Sequence, residues 1–181
     1  MEPDRAVKDL ELFLADRGDH LLRTAVLLTG SKEAGEDLVQ AALERLLRRW
    51  PTIEGNPEGY LRRTLYHFAA ARWRQQVAWR RLLRLLRPGL GAAAADPFGE
   101  VEVRDSLVRL LRQLPPRQRA VIVARYWEQL SEAESALVLG CSVGTVKSAA
   151  ARGLRRLREL SDTSHDQQDA AERETTREHM T

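Results

Sequence analysis

Apolar residues recur every three or four positions along most of this 181-residue chain, which is the spacing of one face of an α-helix. Near the N-terminus the pattern predicts a first helix from about Arg5 to Leu28 and a second from Lys32 to Trp50. Thr29-Gly30-Ser31 is expected to end the first and cap the second. Strand patterns are hard to find, and Ala, Leu, Arg and Glu dominate, so we expect an all-α fold.

The pattern then predicts a third helix and a break. The third helix should begin near Pro57, with Asn56 as its N-cap, and continue past Trp73. Residues 88–99 are rich in Pro, Gly and Ala and cannot sustain a packed element. We therefore expect two small helical domains joined by a flexible linker, with these bounds: domain 1–87, linker 88–102, domain 103–160 and a disordered acidic tail at 161–181.

Residues 130–158 carry the sequence signature of a helix-turn-helix. Ser131 and Glu134 have the spacing of a capping box, and Gly140 can take the positive φ that ends a helix. Ser142 can then cap the second helix. That helix has an apolar stripe, expected to pack on Leu137, which consists of Val146, Ala150, Leu154 and Leu157.

The opposite face of this second helix is polar and basic. It carries Thr145, Lys147, Ser148, Arg152, Arg155, Arg156 and Arg158. Hydroxyl, ammonium and guanidinium groups on one helical face suit the phosphates and base edges of a major groove. The sequence therefore predicts a reader of double-stranded DNA. A solvated basic face on a plain helical hairpin is the alternative.

Charge is distributed unevenly, although the net charge is only +3. Residues 57–87 hold eight arginines against one carboxylate, which favours binding to phosphates. On the third helix Arg63, His67 and Arg74 share one side, with Tyr66 and Trp73 beside them. Aromatic rings among arginines suit unpaired bases, but burial of both rings in the core is an equally good interpretation.

Several classes of site are not expected. Cys141 is the only cysteine and no histidine stands at metal-ligand spacing from it, so neither a disulfide nor a metal site is predicted. No cofactor motif or catalytic constellation is evident. The N-terminus has no apolar signal core after a basic patch, so we expect a cytoplasmic protein. No apolar run reaches the length of a membrane span, so no membrane contact is expected.

The order of these features resembles that of the extracytoplasmic-function sigma factors of bacterial RNA polymerase, in particular the actinobacterial SigE-like group. The resemblance rests on an EDLVQ helix, a basic aromatic helix, a linker, and LPPRQRAVIVARYW before the helix-turn-helix, and it covers about Asp9 to Arg158. It implies core RNA polymerase and promoter DNA as partners, with an anti-sigma protein as a further candidate.

The resemblance also implies roles for individual residues. Docking on the clamp helices of the polymerase would involve Glu36, Asp37, Leu38, Gln40 and Glu44. Contacts to the minus-ten element would come from Asn56, Arg62, Arg63, His67, Trp73 and Arg74, although capping explains Asn56 equally well. Contacts to the minus-thirty-five element would come from Ser142, Thr145, Lys147, Ser148, Arg152 and Arg155.

Three positions depart from the family pattern. Ala41 follows Gln40 where the family usually has Glu, Ala149 stands where Arg is frequent, and Ala151 replaces a larger residue. Two side chains that could touch DNA are thus missing, so minus-thirty-five binding is expected to be weak.

The sequence therefore predicts a non-enzymatic initiation subunit that directs the polymerase to a promoter set. One alternative is a free-standing helix-turn-helix regulator that binds its operator as a dimer. Another is an interaction protein that sequesters a regulator without touching DNA.

Overall fold

The computed structural model describes the backbone of residues 3–50, 53, 56–86 and 106–178, and the side chains of residues 8, 11–50, 53, 56–79, 81–83 and 106–162. These residues form helices and connecting turns without a strand, which confirms the predicted all-α class. The helices are α1 (Pro3–Thr29), α2 (Lys32–Arg49), α3 (Pro57–Leu86), α4 (Ser106–Arg112), α5 (Pro116–Ile122), α6 (Glu132–Leu139) and α7 (Val143–Glu178). A π-helical turn, Val123–Trp127, extends α5.

Local sequence signals set the corner between α1 and α2. Gly30 has φ +86°, and the Ser31 hydroxyl accepts a hydrogen bond from the Ala34 amide at 3.2 Å, so both predicted roles are confirmed. A Cβ on Gly35 would stand 2.8 Å from Val26 Cγ2. Only glycine therefore allows α1 and α2 to pack this closely.

The first unit, α1 to α3, packs around a core that follows the predicted apolar stripes. Its buried side chains are Leu21, Ala25, Leu38, Ala42, Leu46, Leu61 and Leu65. Trp50 and Phe68 border this core and are only partly buried. These three helices form a small bundle on which the exposed polar faces of α2 and α3 are displayed.

The second unit, α4 to α7, contains the helix-turn-helix. Pro115 and Pro116 separate α4 from α5 as predicted, since proline ends one helix and is tolerated in the first turn of the next. The helix predicted from Val103 begins at Ser106 in the described part of the chain, and residues 103–105 lie outside it.

The two units share a core, which the predicted two-domain organisation did not anticipate. Leu27, Leu28 and Tyr66 of the first unit pack in one cluster with residues of the second, including Leu111 and Val123. The predicted linker, 88–102, lies outside the described residues. The units are therefore in direct contact, and this contact positions the candidate sites.

The C-terminal segment differs from the prediction of a disordered tail. The backbone of α7 continues as helix through Glu178, although the segment from Ser161 is acidic and poor in apolar residues. Its Ala, Glu, Gln and Arg residues have good helix propensity, so it can extend a helix whose nucleus is already formed. None of the helices in the described ranges is long and apolar enough to cross a membrane.

Candidate nucleic-acid interface

The helix-turn-helix is built by the predicted capping residues. The Ser131 amide donates to Glu134 Oε2 at 2.8 Å, and the Glu134 amide donates to Ser131 Oγ at 3.2 Å, which completes the capping box of α6. The hydrogen bonds from Ser131 lower the pKa of the Glu134 carboxyl. Gly140 ends α6 with φ +64°, and Ser142 Oγ accepts from the Thr145 amide at 3.2 Å to begin α7.

The inner face of α7 fixes its position against α6. Val146 is fully buried and packs with Val121 of α5 and Ala136 of α6. Ala136 is small, which allows the two helices to cross closely. The prediction that α7 packs on Leu137 is wrong, because Leu137 is 64% exposed. The side of α6 that carries Ala136 faces α7, and the neighbouring position therefore points to solvent.

Ala149 also belongs to this inner face. It is 2% exposed and lies in the cluster of Val121, Ala136 and Val146. The interpretation of Ala149 as a lost DNA contact is therefore wrong for this structure, because its Cβ points into the helix-turn-helix core. Ala151 is exposed and remains a position where a larger side chain would face outward.

The outer face of α7 carries the predicted minus-thirty-five residues. Ser142, Lys147, Ser148, Arg152 and Arg155 are exposed, and Thr145 is partly buried. Arg152 Nη2 lies 3.5 Å from Ser148 Oγ, and Lys147 Nζ lies 3.4 Å from Glu132 Oε2. Exposed contacts of this kind are weak, so both cations can exchange them for contacts with an anionic partner.

Three of the predicted minus-ten residues lie on the surface of α3, and two of them lie together. Arg63, His67 and Arg74 are exposed on α3. Arg63 and His67 also line a surface cavity of about 270 Å³ with Arg45, Tyr60 and Phe68. This surface combines positive charge with aromatic rings, but the rings are Tyr60 and Phe68 rather than the predicted Tyr66 and Trp73.

The other predicted minus-ten residues have different surroundings. Asn56 Oδ1 accepts from the Gly59 amide at 2.9 Å, so its capping role is present. Arg62 is partly buried in ion pairs with Glu58 and Glu128, both at 2.8 Å. Trp73 is half-buried and, with Arg74 at its side, lines a cavity of about 320 Å³ that α3 shares with α5 and α6.

Tyr66 is a core residue. It is 2% exposed, so of the two open interpretations the structure supports burial for this ring. Burial raises the pKa of the Tyr66 hydroxyl well above its ordinary value.

The acidic face of α2 is exposed as predicted, with one exception. Glu36, Asp37, Gln40 and Glu44 point outward, and Asp37 Oδ2 lies 3.5 Å from Arg72 Nη2 of α3. Leu38, predicted with them, is 3% exposed and packs inside the bundle. It supports this face from within, because a residue in the core cannot also contact a partner.

Sequence reasoning missed the partner of Arg62. Glu128 lies 66 positions further along the chain in the second unit, and its carboxylate meets Arg62, His20 and Thr24 of the first. No local motif marks such a contact, since only the packing of the two units brings these residues together.

Comparisons with known proteins agree with this architecture. The sequence matches sigma-70 region 2 over residues 14–87 and sigma-70, region 4 over residues 104–157. The RNA polymerase sigma-E factor of Streptomyces coelicolor is 39% identical over 156 residues, which cover 84% of this chain and 86% of that protein. The ECF RNA polymerase sigma factor SigG of Mycobacterium tuberculosis is 31% identical over 81% of this chain and 47% of its own length.

A solved structure shows a similar arrangement. The sigma factor RpoE of Bartonella quintana, crystallised with the anti-sigma factor NepR, superposes with a TM-score of 0.63 at 25% identity, covering 86% of this chain and 98% of that one. The region 2 match spans α2 and α3, which a free-standing helix-turn-helix regulator would leave unexplained. The chain therefore belongs to the extracytoplasmic-function sigma factors, alternative sigma factors that bind core RNA polymerase and direct promoter-specific initiation of transcription.

Proposed function

We propose that the two units divide promoter recognition, with α7 reading the minus-thirty-five element. The observation that carries this proposal is the exposed outer face of α7, where Lys147, Ser148 and Arg152 lie on a helix whose inner face is packed through the buried Val146 and Ala149. A rigid helix that presents donors on one side can enter a major groove without reordering its backbone. Arg152 suits a base edge, and Lys147 suits a phosphate.

We infer that α3 holds the minus-ten element. Arg63 and His67 border a surface cavity lined by Tyr60 and Phe68, where an unpaired base could stack while Arg63 holds the backbone. Arg74 extends the basic surface along the same helix. Asn56 is already used as a helix cap, which leaves its amide nitrogen for a second partner.

We further infer that the acidic face of α2 docks on core polymerase. Glu36, Asp37, Gln40 and Glu44 stand on one exposed face, and the ion pairs of Glu36 and Asp37 with Lys32 and Arg72 span 3.7 and 3.5 Å. Such pairs contribute little to stability. A basic partner surface can therefore displace them at small cost.

Reconstituted transcription tests this division of roles. The purified chain is combined with core polymerase on genomic fragments, and the transcript start sites are sequenced. The proposal expects start sites that share two upstream elements, with Arg152→Ala relaxing one position of the distal element and Arg63→Ala weakening opening at the proximal one. Equal loss at every promoter for Arg152→Ala would make it a phosphate contact only.

The remaining expectations follow from the family. We infer that the chain performs no catalysis itself and that it works in the cytoplasm, where it meets the polymerase that carries out the chemistry. An anti-sigma protein is a candidate partner, supported by the similarity to a sigma factor solved with one. Pull-down with candidate regulators encoded in the same genome would test this.

A further inference from the structure

A carboxylate of the second unit is buried in the first. Glu128 directly follows the π-helical turn, and its side chain is 3% exposed. Glu128 Oε2 lies 2.8 Å from Arg62 Nε of α3, and Glu128 Oε1 accepts from the Thr24 hydroxyl at 2.6 Å and lies 3.0 Å from His20 Nε2 of α1. Both oxygens of one carboxylate thus tie two helices of the first unit to the second.

Trp127 reinforces this contact. Its indole Nε1 donates to Thr24 Oγ1 at 2.9 Å. Its ring stacks on the His20 ring, with 5.7 Å between the ring centroids and 6° between the ring planes. The Thr24 hydroxyl therefore accepts from Trp127 and donates to Glu128, with only 1% of the residue exposed. With the Thr24 hydroxyl and the Glu128 carboxylate withdrawn from solvent, these directed hydrogen bonds favour one geometry of the two units.

The backbone that presents Glu128 is irregular. The π-helical turn widens the helix just before it, and Gln129, directly after it, has φ +54° although it is not glycine. Both features are costly and tend to occur at functional positions. The Leu130 amide then reaches back to the Ala124 carbonyl at 3.0 Å to close the turn. The local chain is thus bent so that Trp127 and Glu128 project into the first unit.

Glu128 competes with a nucleic acid for one edge of the Arg62 guanidinium. The Arg62 side chain is 25% exposed, and its guanidinium is shared between Glu58 and Glu128, whereas the neighbouring Arg63 is exposed on the outer surface of α3. A carboxylate on a guanidinium occupies the position that a phosphate would take. While Glu128 is in place, the Nε–Nη2 edge of Arg62 is occupied and cannot also hold a DNA phosphate through two hydrogen bonds.

We propose that Glu128 is an internal latch, which occupies Arg62 in place of a promoter phosphate and holds the two promoter-binding units closed until core polymerase separates them. The inference rests on the proposed DNA role of α3. Removing the carboxylate frees Arg62 and weakens the closed form. Because apparent affinity scales with the open fraction, promoter affinity of the free chain reports opening even when the open form is rare.

The first test measures promoter binding by the free chain. Glu128→Gln should bind a fork-shaped promoter fragment about tenfold more tightly than wild type, the factor expected for losing charge-assisted hydrogen bonds. Glu11→Gln, the same chemical change at an exposed position of α1, is the matched control and should stay within about twofold, as for a screened surface charge. Equal affinity of the two variants would overturn the competition between Glu128 and DNA.

The second test measures the closed form without DNA. The half-buried Cys141 is replaced by alanine, and energy-transfer dyes are placed at Arg48→Cys on α2 and Ala133→Cys on α6, both exposed. Glu128→Arg should lower the transfer efficiency by setting two cations together, and Arg62→Glu combined with it should restore the efficiency. An unchanged efficiency in Glu128→Arg, or a double variant as open as the single one, would overturn the latch.

Core polymerase supplies the third readout. Binding of wild-type chain to core enzyme should lower the transfer efficiency, and a transcribing complex that keeps the closed efficiency would overturn the inference. These outcomes distinguish a failure of the proposed DNA role of α3 from a failure of the latch. If no variant binds promoter DNA with or without core enzyme, the proposed role of α3 fails, while the dye measurements still decide the latch. Circular dichroism of each variant checks that its helix content is retained.

Discussion

Reversing the charge of Asp37 should remove polymerase binding while leaving the fold intact. The Asp37 side chain is 58% exposed, and its Oδ2 lies 3.5 Å from Nη2 of Arg72, whose side chain is 32% exposed. A surface pair of this kind contributes about 0–1 kcal/mol, and Asp37→Arg also sets a second cation near Arg72, so it should lower the free energy of unfolding by no more than about 1–2 kcal/mol. Its Cβ lies outside the bundle core, which Leu38 fills from the other side of α2.

The expected effect on docking is much larger. A cation in the middle of an acidic docking face meets a basic partner as a like charge, which costs several kcal/mol. A loss of about 3 kcal/mol corresponds to a roughly hundredfold higher Kd for core enzyme. Asp37→Asn removes the attraction without adding repulsion and should lie between wild type and Asp37→Arg.

Competition binding to core polymerase with a labelled sigma factor measures these values. Glu11→Arg makes the same charge reversal at an exposed position of α1, outside the proposed docking face, and should bind within about twofold of wild type at moderate salt. The reasoning is refuted if Asp37→Arg binds core enzyme as wild type does. A similar loss in Glu11→Arg would also refute it, since net charge rather than a docking face would then be responsible.

Four further changes test other parts of the structure. Arg152→Ala should cost about 1–3 kcal/mol on a cognate minus-thirty-five fragment and relax one base position, measured by binding to single-base variants. Gly140→Ala should destabilise the chain by about 1–2 kcal/mol in denaturant unfolding, because φ is +64° although the space around it is open. Ser131→Ala should cost about 1 kcal/mol. Because the pKa of Glu134 is lowered through Ser131, the capping contribution is present at neutral pH and lost as the pH falls below the ordinary carboxyl range, and Ser131→Ala should flatten that part of the pH profile. Truncation after Leu160 should tighten promoter binding at low salt if the acidic segment competes with DNA, whereas equal affinity at low and moderate salt would show that it does not.

The sequence by itself determined most of the helices and the helix ends that capping residues mark, but not the continuation of α7 through Glu178. Ser131 with Glu134, Gly140 and Ser142 act within a few residues of their partners, so short-range spacing was enough to predict the helix-turn-helix. The apolar period likewise identified Leu61 and Leu65 as core. Family resemblance, carried by ordered motifs, predicted the sigma-70 regions that the comparisons confirm.

The tertiary structure decided which of several plausible side chains face inward. The sequence left the burial of Tyr66 open, and the family resemblance assigned Ala149 to the DNA side. Packing against neighbouring helices buried both. The choice depends on the crossing of neighbouring helices, which periodicity within one helix does not encode.

The contact between the units was also beyond the sequence. In the sequence, Arg62 is one of several arginines of a basic helix. In the fold, α5 and the π-helical turn place Glu128 against it. A charge acquires its role from the partner and the burial that the fold supplies, and for Arg62 that partner lies 66 residues away. Local spacing could therefore define the recognition helix, whereas only the packed chain could reveal that the Glu128 carboxylate of the second unit contacts α1 and α3 of the first.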